Sequence, residues 1–349
     1  MKKKVWVSLI LTAVMLATVA CGNNAAKGTN DTTGPDAASK ENGDKKSYKI
    51  AISQIVEHPS LDATREGFLQ ALKDAGIVEG ENLKVDYNNA QNDQTNNMTI
   101  AQKINSGDAE LVLAIATPSA QAVVKEVKDK PILFAAVTDP LDAKLVTNLE
   151  KPGGNISGVS DTNPEAITKL MDFIAGSFPN VKNLGLVINE GESNSVMMAK
   201  LAEEALSKHG IKLVKAAITN TSEVKQAAES LIGRVDALYI TLDNSVVSGA
   251  DAIIQVAKEK HLPFFSSDRD TVEKGAFATV GFKYFDHGYQ VGQMAVDILK
   301  NGKKPGDMPI TVQQKLDIIL NLKAAADQGI VVTDEMKAQV QDAEKNIIQ

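Results

Sequence analysis

The residues of this chain best suited to chemistry stand where apolar runs end. "TPSAQ" (117–121) follows one such run and "TDPLDAK" (138–144) another, and the same position is held by "SQIVEHPSLD" (53–62), "NEGESNS" (189–195), "TLDNSV" (241–246) and "SSDRD" (266–270). "SDTNP" (160–164) adds a seventh segment. Nearly all carry Ser, Thr, Asn or Asp. Free amides at a helix start attract an anion, so those after Pro118, with the Thr117 and Ser119 hydroxyls, suit a carboxylate. Asp139, Asp161, Asp243 and Asp268 suit an ammonium group. An anion receptor with several acids fits a zwitterion, such as an amino acid, better than a sugar or an inorganic anion. Ser60, Thr162, Asn189 and Asn194 lie in the same segments and are further candidates to contact it. Taken singly, each segment is also what helix capping requires, because Ser, Thr, Asp and Asn are the preferred N-caps.

Catalytic patterns are missing from the sequence. There is no GxSxG, GxGxxG or GxxxxGK[ST], and no cysteine after Cys21. His58, His209, His261 and His287 are too scattered for a metal motif, and only His58 falls in one of the polar loops. The expectation is a binding protein without catalytic residues, metal or cofactor.

The elements that would position these loops alternate regularly. Strands are expected at 48–53, 83–88, 110–116 and 132–137, with helices near 59–75, 94–106 and 118–128 between them. After the "KPGGN" turn (151–155) come a strand at 156–161 and a helix near 163–178. The rhythm then restarts with strands at 183–189, 212–218, 237–242 and 262–267, and helices near 193–208, 221–233 and 246–260. Apolar runs of this length between helices suit strands buried on both faces, the pattern of a parallel, doubly wound sheet. A strand at 277–282, a long helix at 284–302, short strands at 308–312 and 316–321, and a helix near 333–346 complete the chain. The fold class is therefore α/β, with two Rossmann-like doubly wound lobes. An N-terminal lobe over 48–158 would regain about 284–315, and a C-terminal lobe over 159–283 would regain about 316–349. Ligands of open α/β sheets bind at the carboxyl ends of the strands, where the polar loops fall.

Composition limits the partners. The 349 residues carry a formal net charge of −7, which disfavours nucleic acid, whose phosphates need clustered Lys and Arg. Aromatic residues make up 4%, so a sugar site built from many stacked rings is disfavoured. Phe264, Phe265 and Phe282 are expected in the core, and Tyr284 and Phe285 remain as possible apolar walls. The N-terminus has three lysines, an apolar run from Val5 to Ala17 and then small residues, the form of an export signal over 1–20. Cys21 follows Ala20 as in the lipobox of bacterial lipoproteins, with Thr18 where that pattern usually has Leu; a signal peptidase cut after Ala20 is the simpler alternative. Residues 22–47 are polar and small, too poor in apolar surface to offset their ordering entropy, and read as a tether.

"HPSLD", "IATPSAQ", "VTDP", "KPGGNISGVSD" and "LDNSVVSG" together resemble the substrate-binding lipoproteins of ABC transporters for aromatic amino acids, from about Lys49 to the C-terminus. The resemblance implies a type I periplasmic-binding-protein fold, with two lobes joined by three hinge segments and ligand in the cleft. It implies that Thr117–Ala120, including Ser119 and Ala120, hold the ligand carboxylate and that Asp243 holds its ammonium. Gln54, His58, Asp139, Asp161 and Asn244 would complete the pocket. An aromatic ligand is favoured over an aliphatic one. The implied partners are a membrane permease and its ATPase, with the protein itself a monomer anchored through Cys21 to the outer face of the cytoplasmic membrane. A sensor reporting to a membrane receptor and a secreted enzyme are the rival readings.

Overall fold

The computed structural model describes residues 46–312, 314 and 316–349; the export signal, Cys21 and nearly all of the tether lie outside them. In chain order, β1 (Tyr48–Gln54), α1 (Pro59–Asp74), β2 (Leu83–Asn89), α2 (Gln94–Ser106), β3 (Leu111–Ile115), α3 (Thr117–Glu126), β4 (Ile132–Val137) and β5 (Ile156–Ser160) come first. There follow α4 (Pro164–Ser177), β6 (Asn183–Asn189), α5 (Ser193–Ser207), β7 (Lys212–Ile218), α6 (Val224–Leu231), β8 (Ala237–Ile240), α7 (Asn244–Ser248), α8 (Ala250–Lys260), β9 (Phe264–Ser266), α9 (Arg269–Lys274) and β10 (Ala278–Gly281). The last are α10 (Tyr284–Asn301), β11 (Thr311–Val312), β12 (Asp317–Asn321), α11 (Leu322–Asp327), α12 (Asp334–Ala338), α13 (Ala343–Asn346) and β13 (Ile347–Ile348).

The doubly wound α/β class is what forms. One sheet has the order β11-β5-β4-β3-β1-β2 and the other β13-β12-β10-β9-β8-β6-β7. Every strand pair is parallel except β10–β12. Each sheet thus contains the same 2-1-3-4-5 winding, in which the strand order reverses beside the first strand and opens a crevice at the carboxyl ends. The reason lies in the apolar runs. Every residue of β3 and β4 is buried, as strands covered by helices on both faces require.

The chain passes between the sheets three times: from β5 to α4, from β10 to α10, and from β11 to β12. The second passage brings α10 back against α1. Glycines let the two backbones approach. A Cβ on Gly67 would strike the Phe285 carbonyl, one on Gly288 the Thr64 carbonyl, and one on Gly292 would lie 2.6 Å from the Phe68 carbonyl. Gly288 and Gly292 are one helical turn apart and so share a face.

The end of the chain departs from expectation. The single helix expected near 333–346 is two short ones, α12 and α13. The buried Asp317 carboxylate accepts hydrogen bonds from the backbone N–H groups of Gln341 (2.9 Å) and Asp342 (3.0 Å), which pulls the chain out of the helical path. The helix expected over 246–260 is likewise divided, at Gly249. Helices α9 and α11 are short segments that the apolar periodicity did not reveal.

The α1–α10 contact makes a direct prediction. Gly288→Ala forces the helices apart and should cost about 1–3 kcal/mol, as overpacking does. Gly176→Ala, in α4 with open space around it, should be neutral or slightly stabilising. Urea unfolding midpoints compare the two; equal midpoints would show that the close approach is not needed.

Candidate functional site

Two adjoining narrow cavities, one slightly smaller than the other, lie where the carboxyl ends of the sheets meet the three passages. Asp161 and Leu242 border both.

The smaller cavity is mostly polar. From the first lobe it is lined by His58, the N-cap of α1, by Ser60 and Leu61 in the first turn, and by Ala136. The second lobe supplies Asn194, Leu242, Asn244, Val247 and Asp268, and the passages supply Asp161 and Tyr284. Among these described residues there is no Lys or Arg. Asp161 accepts hydrogen bonds from Tyr284 Oη (3.0 Å) and Thr162 Oγ1 (3.1 Å), yet burial pushes its pKa up to about 6. Burial also lowers the pKa of His58, against the opposing pull of Asp268 and Asp62. Two buried polar atoms of the lining have no protein partner: His58 Nδ1 and Asn194 Oδ1. Buried polar groups are otherwise nearly always paired, so such atoms mark a place for a ligand or water.

The larger cavity is mostly apolar. Asp161, Thr162, Asn163 and Ser267 are its polar residues; Ala166, Ile167, Leu170, Met198, Leu242, Val280, Phe282 and Leu316 make the rest, with Gly281. Phe282 therefore lines a cavity instead of serving only the core, because it falls at the second passage between the sheets. Phe264 and Phe265 are core residues as expected, Tyr284 is a wall, and Phe285 is on the surface.

Local geometry fixes the rims. Ala136 adopts a left-handed backbone (φ 52°) at a register shift in β4, and its N–H donates to His287 Nε2 (2.9 Å). His287 is fully buried and its pKa falls to about 3, so it stays neutral and can accept that bond. Across the gap, Ser60 Oγ donates to Asp268 Oδ1 (3.1 Å) and Asn92 Nδ2 donates to Ser245 Oγ (2.8 Å). These bonds tie the first lobe to the second.

The fold thus gathers His58, Ser60, Asp161, Thr162, Asn194, Asn244 and Asp268 around the cavities. It directs the other candidates elsewhere. Gln54 is spent on Val56 O, Asp62 and Arg65. Thr117 Oγ1 accepts from Thr138 N–H, Ser119 Oγ donates to Asn97 Oδ1, and Ala120 is packed in the core of the first lobe. The expected carboxylate receptor at 117–120 therefore borders neither cavity. Asp139 caps its own turn through the N–H groups of Leu141 and Asp142. Asn189 is engaged with Ser245 and Gly191.

Asp243, the expected ammonium contact, has its hydrogen bonds within its own lobe. Its side chain is fully buried and borders neither cavity. One oxygen accepts from Asn189 N–H (2.6 Å) and Ser195 Oγ (2.6 Å), the other from Val246 N–H as the N-cap of α7. Burial, then the nearby Glu192 carboxylate, pushes its pKa up to about 8. Glu192, which the sequence reading passed over as one more loop acid, is itself buried. It accepts from the backbone N–H and side chain of both Asn244 and Ser245, and from Asn194 Nδ2, at 2.6–3.2 Å. The signal for it was present only as a Glu in "NEGESNS".

A family model described as ABC transporter substrate binding protein matches residues 49–344. A tyrosine-binding protein of Clostridioides difficile (strain R20291) is 39% identical over 320 residues, 92% of this chain and 91% of that protein. A solved ABC domain from Streptococcus pneumoniae in complex with L-Trp is 31% identical, with a TM-score of 0.80 over 87% of this chain and 100% of that one. The ligand-free, open structure of a substrate binding protein with adhesive properties from Clostridium difficile is 40% identical, yet its TM-score is 0.62 over 86% of this chain and 98% of its own.

The Asp243–Glu192 pair predicts a pH effect. A carboxyl whose pKa is raised by folding keeps a proton that the unfolded chain has released, so its burden on stability grows with pH until about 8. Between pH 7 and 8.5, where His58 and His287 are neutral in the fold, stability should fall by about 1 kcal/mol through this group. Asp243→Asn should remove most of that difference. Denaturant unfolding of both proteins at the two pH values measures it; parallel pH profiles would show that Asp243 is ionised throughout.

Proposed function

The chain belongs to the ABC transporter substrate-binding protein family, and from that premise we propose that it captures an aromatic amino acid in the two adjoining cavities and delivers it to a membrane permease driven by a separate ATPase. One observation carries this reading. A polar chamber with two acids, two unpaired polar atoms and no cationic side chain opens beside an apolar chamber, and Asp161 stands at their junction.

A zwitterion with a ring has matching parts. Its ammonium group has three protons to donate, and Asp161, Asp268 and Asn194 Oδ1 are acceptors on the polar walls. It brings the positive charge that the buried Asp161 lacks. His58 stands on the same wall, its Nδ1 without a protein partner. The ring enters among Ile167, Leu170, Met198, Val280 and Phe282, where burial of apolar area contributes about 25 cal/mol per Å². The names of the tyrosine-binding relative and of the L-Trp complex agree with this ligand class.

The lobe arrangement supports capture by closure. Whole-chain similarity is higher to the L-Trp complex than to the open, ligand-free structure, although the latter is closer in sequence. The Ser60–Asp268 and Asn92–Ser245 bonds would break on opening, so ligand and latch act together to shift the population toward the closed form. The family works outside the cytoplasm. Anchoring through a lipidated Cys21, work as a monomer and lack of catalysis complete the proposal; the first rests on the N-terminal sequence alone.

Calorimetric titration of the mature protein with tyrosine, tryptophan, phenylalanine and leucine tests the reading. The aromatic amino acids should bind at one per chain and leucine more weakly; no heat from any of them would defeat it. Affinity should also fall below pH 6, by up to about tenfold per unit, as protonation removes the Asp161 charge. Asp161→Asn should weaken binding at least about tenfold and flatten that profile. Unchanged affinity in that variant would remove Asp161 from the site.

A further inference from the structure

We propose that Ser267 is a specificity-determining residue that reads the polar edge of a bound aromatic ring, and that Tyr239 is the positioning residue that aims it; the proposal rests on the amino-acid reading above. The apolar chamber is an unusual place for a hydroxyl. Most of its wall is Ile167, Leu170, Met198, Val280 and Phe282, and its other polar residues, Asp161, Thr162 and Asn163, are consecutive in the first passage. Ser267 interrupts that wall. Its backbone N–H donates to Ile240 O (3.1 Å), which fixes the residue just beyond β9.

Its side chain is held from behind. Tyr239 lies in β8, fully buried in the core of the second lobe, and its phenol meets Ser267 Oγ at 2.7 Å. Burial raises the Tyr239 pKa to about 12, so the phenol keeps its proton and can donate it. A serine hydroxyl has one proton and two lone pairs. Either hydroxyl can donate in that contact; with Tyr239 as donor, one serine lone pair is occupied and the proton and a second lone pair stay available toward the chamber. A phenol hydroxyl or an indole N–H fills this capacity. A plain phenyl ring cannot, and leaves a desolvated hydroxyl without a partner.

The pair therefore favours rings with a polar edge over phenylalanine. In leucine-sized ligands the same hydroxyl has nothing to meet. The ammonium contacts lie in the other chamber, so this selectivity is separable from overall affinity.

The test is the ratio of phenylalanine to tyrosine dissociation constants, by calorimetry, in the wild type, Ser267→Ala, Tyr239→Phe and the double variant. Ser267→Ala should weaken tyrosine about tenfold and leave phenylalanine within about twofold. Tyr239→Phe should lower the same ratio while keeping Ser267 itself. The double variant leaves no buried phenol without a partner, so it keeps the measurement valid should Ser267→Ala alone fold poorly. Equal changes for both ligands, or an unchanged ratio, would overturn the assignment while the amino-acid reading stands. A wild type that binds none of the aromatic amino acids defeats that reading, and the assignment with it.

Discussion

A carboxylate taken out of water must find either a cation or enough donors for its lone pairs, and the cleft of this protein is organised around acids that have donors but no cation. Glu192 and Asp243 solve the problem inside the second lobe. Between them they collect the N–H groups at the start of α7 and the side chains of Asn194, Ser195 and Ser245, and so weld β6, α5, β8 and α7 into one rim. The welding costs something, since the two acids repel and Asp243 holds its proton to unusually high pH. Asp161 is left less satisfied, with two hydroxyl donors in a buried position at the junction of the lobes. A buried charge short of compensation is expensive for the fold, and a cationic group brought beside it would supply what is missing.

That rim is useful only if the lobes face each other, which depends on the passages between the sheets. Three of them join the two sheets. The second passage is coupled to a tight helix pair, since α10 returns to α1 through glycine contacts. The same passage carries Phe282 and Tyr284 into the cavities and sets His287 behind Ala136. A residue of the hinge, a wall of the site and a brace of the strand end are thus a few positions apart in one segment.

The legibility of the site in the sequence was partial for a physical reason. Ser, Thr, Asn and Asp at strand ends suit both capping and ligand contact, and here some cap and some line a cavity. Asp268 does both: it caps α9 through Thr271 N–H and faces the cavity beside Ser60. Asp139 closes a turn, and Asp243 caps and braces. "TPSAQ" does start a helix from a buried strand, yet its polar atoms are spent on Asn97 and Thr138 within its own lobe. The apolar chamber was harder still to read, because Ile167, Leu170 and Met198 look like any helix face packed in a core.

The sequence by itself determined the doubly wound α/β class, the order of most elements and most of the loops that reach the cavities. Those follow from periodicity and capping chemistry, which are local. Tertiary structure decided which loop residues face the cavity, where helices near the C-terminus break, and that a buried glutamate holds the second lobe's rim together. Those depend on partners far away along the chain, 29 positions for Asp317 with Asn346 and 208 for Ser60 with Asp268. Whether a carboxylate meets an amide of its own lobe or an open cavity is set by the approach of distant backbone, and no local pattern encodes it.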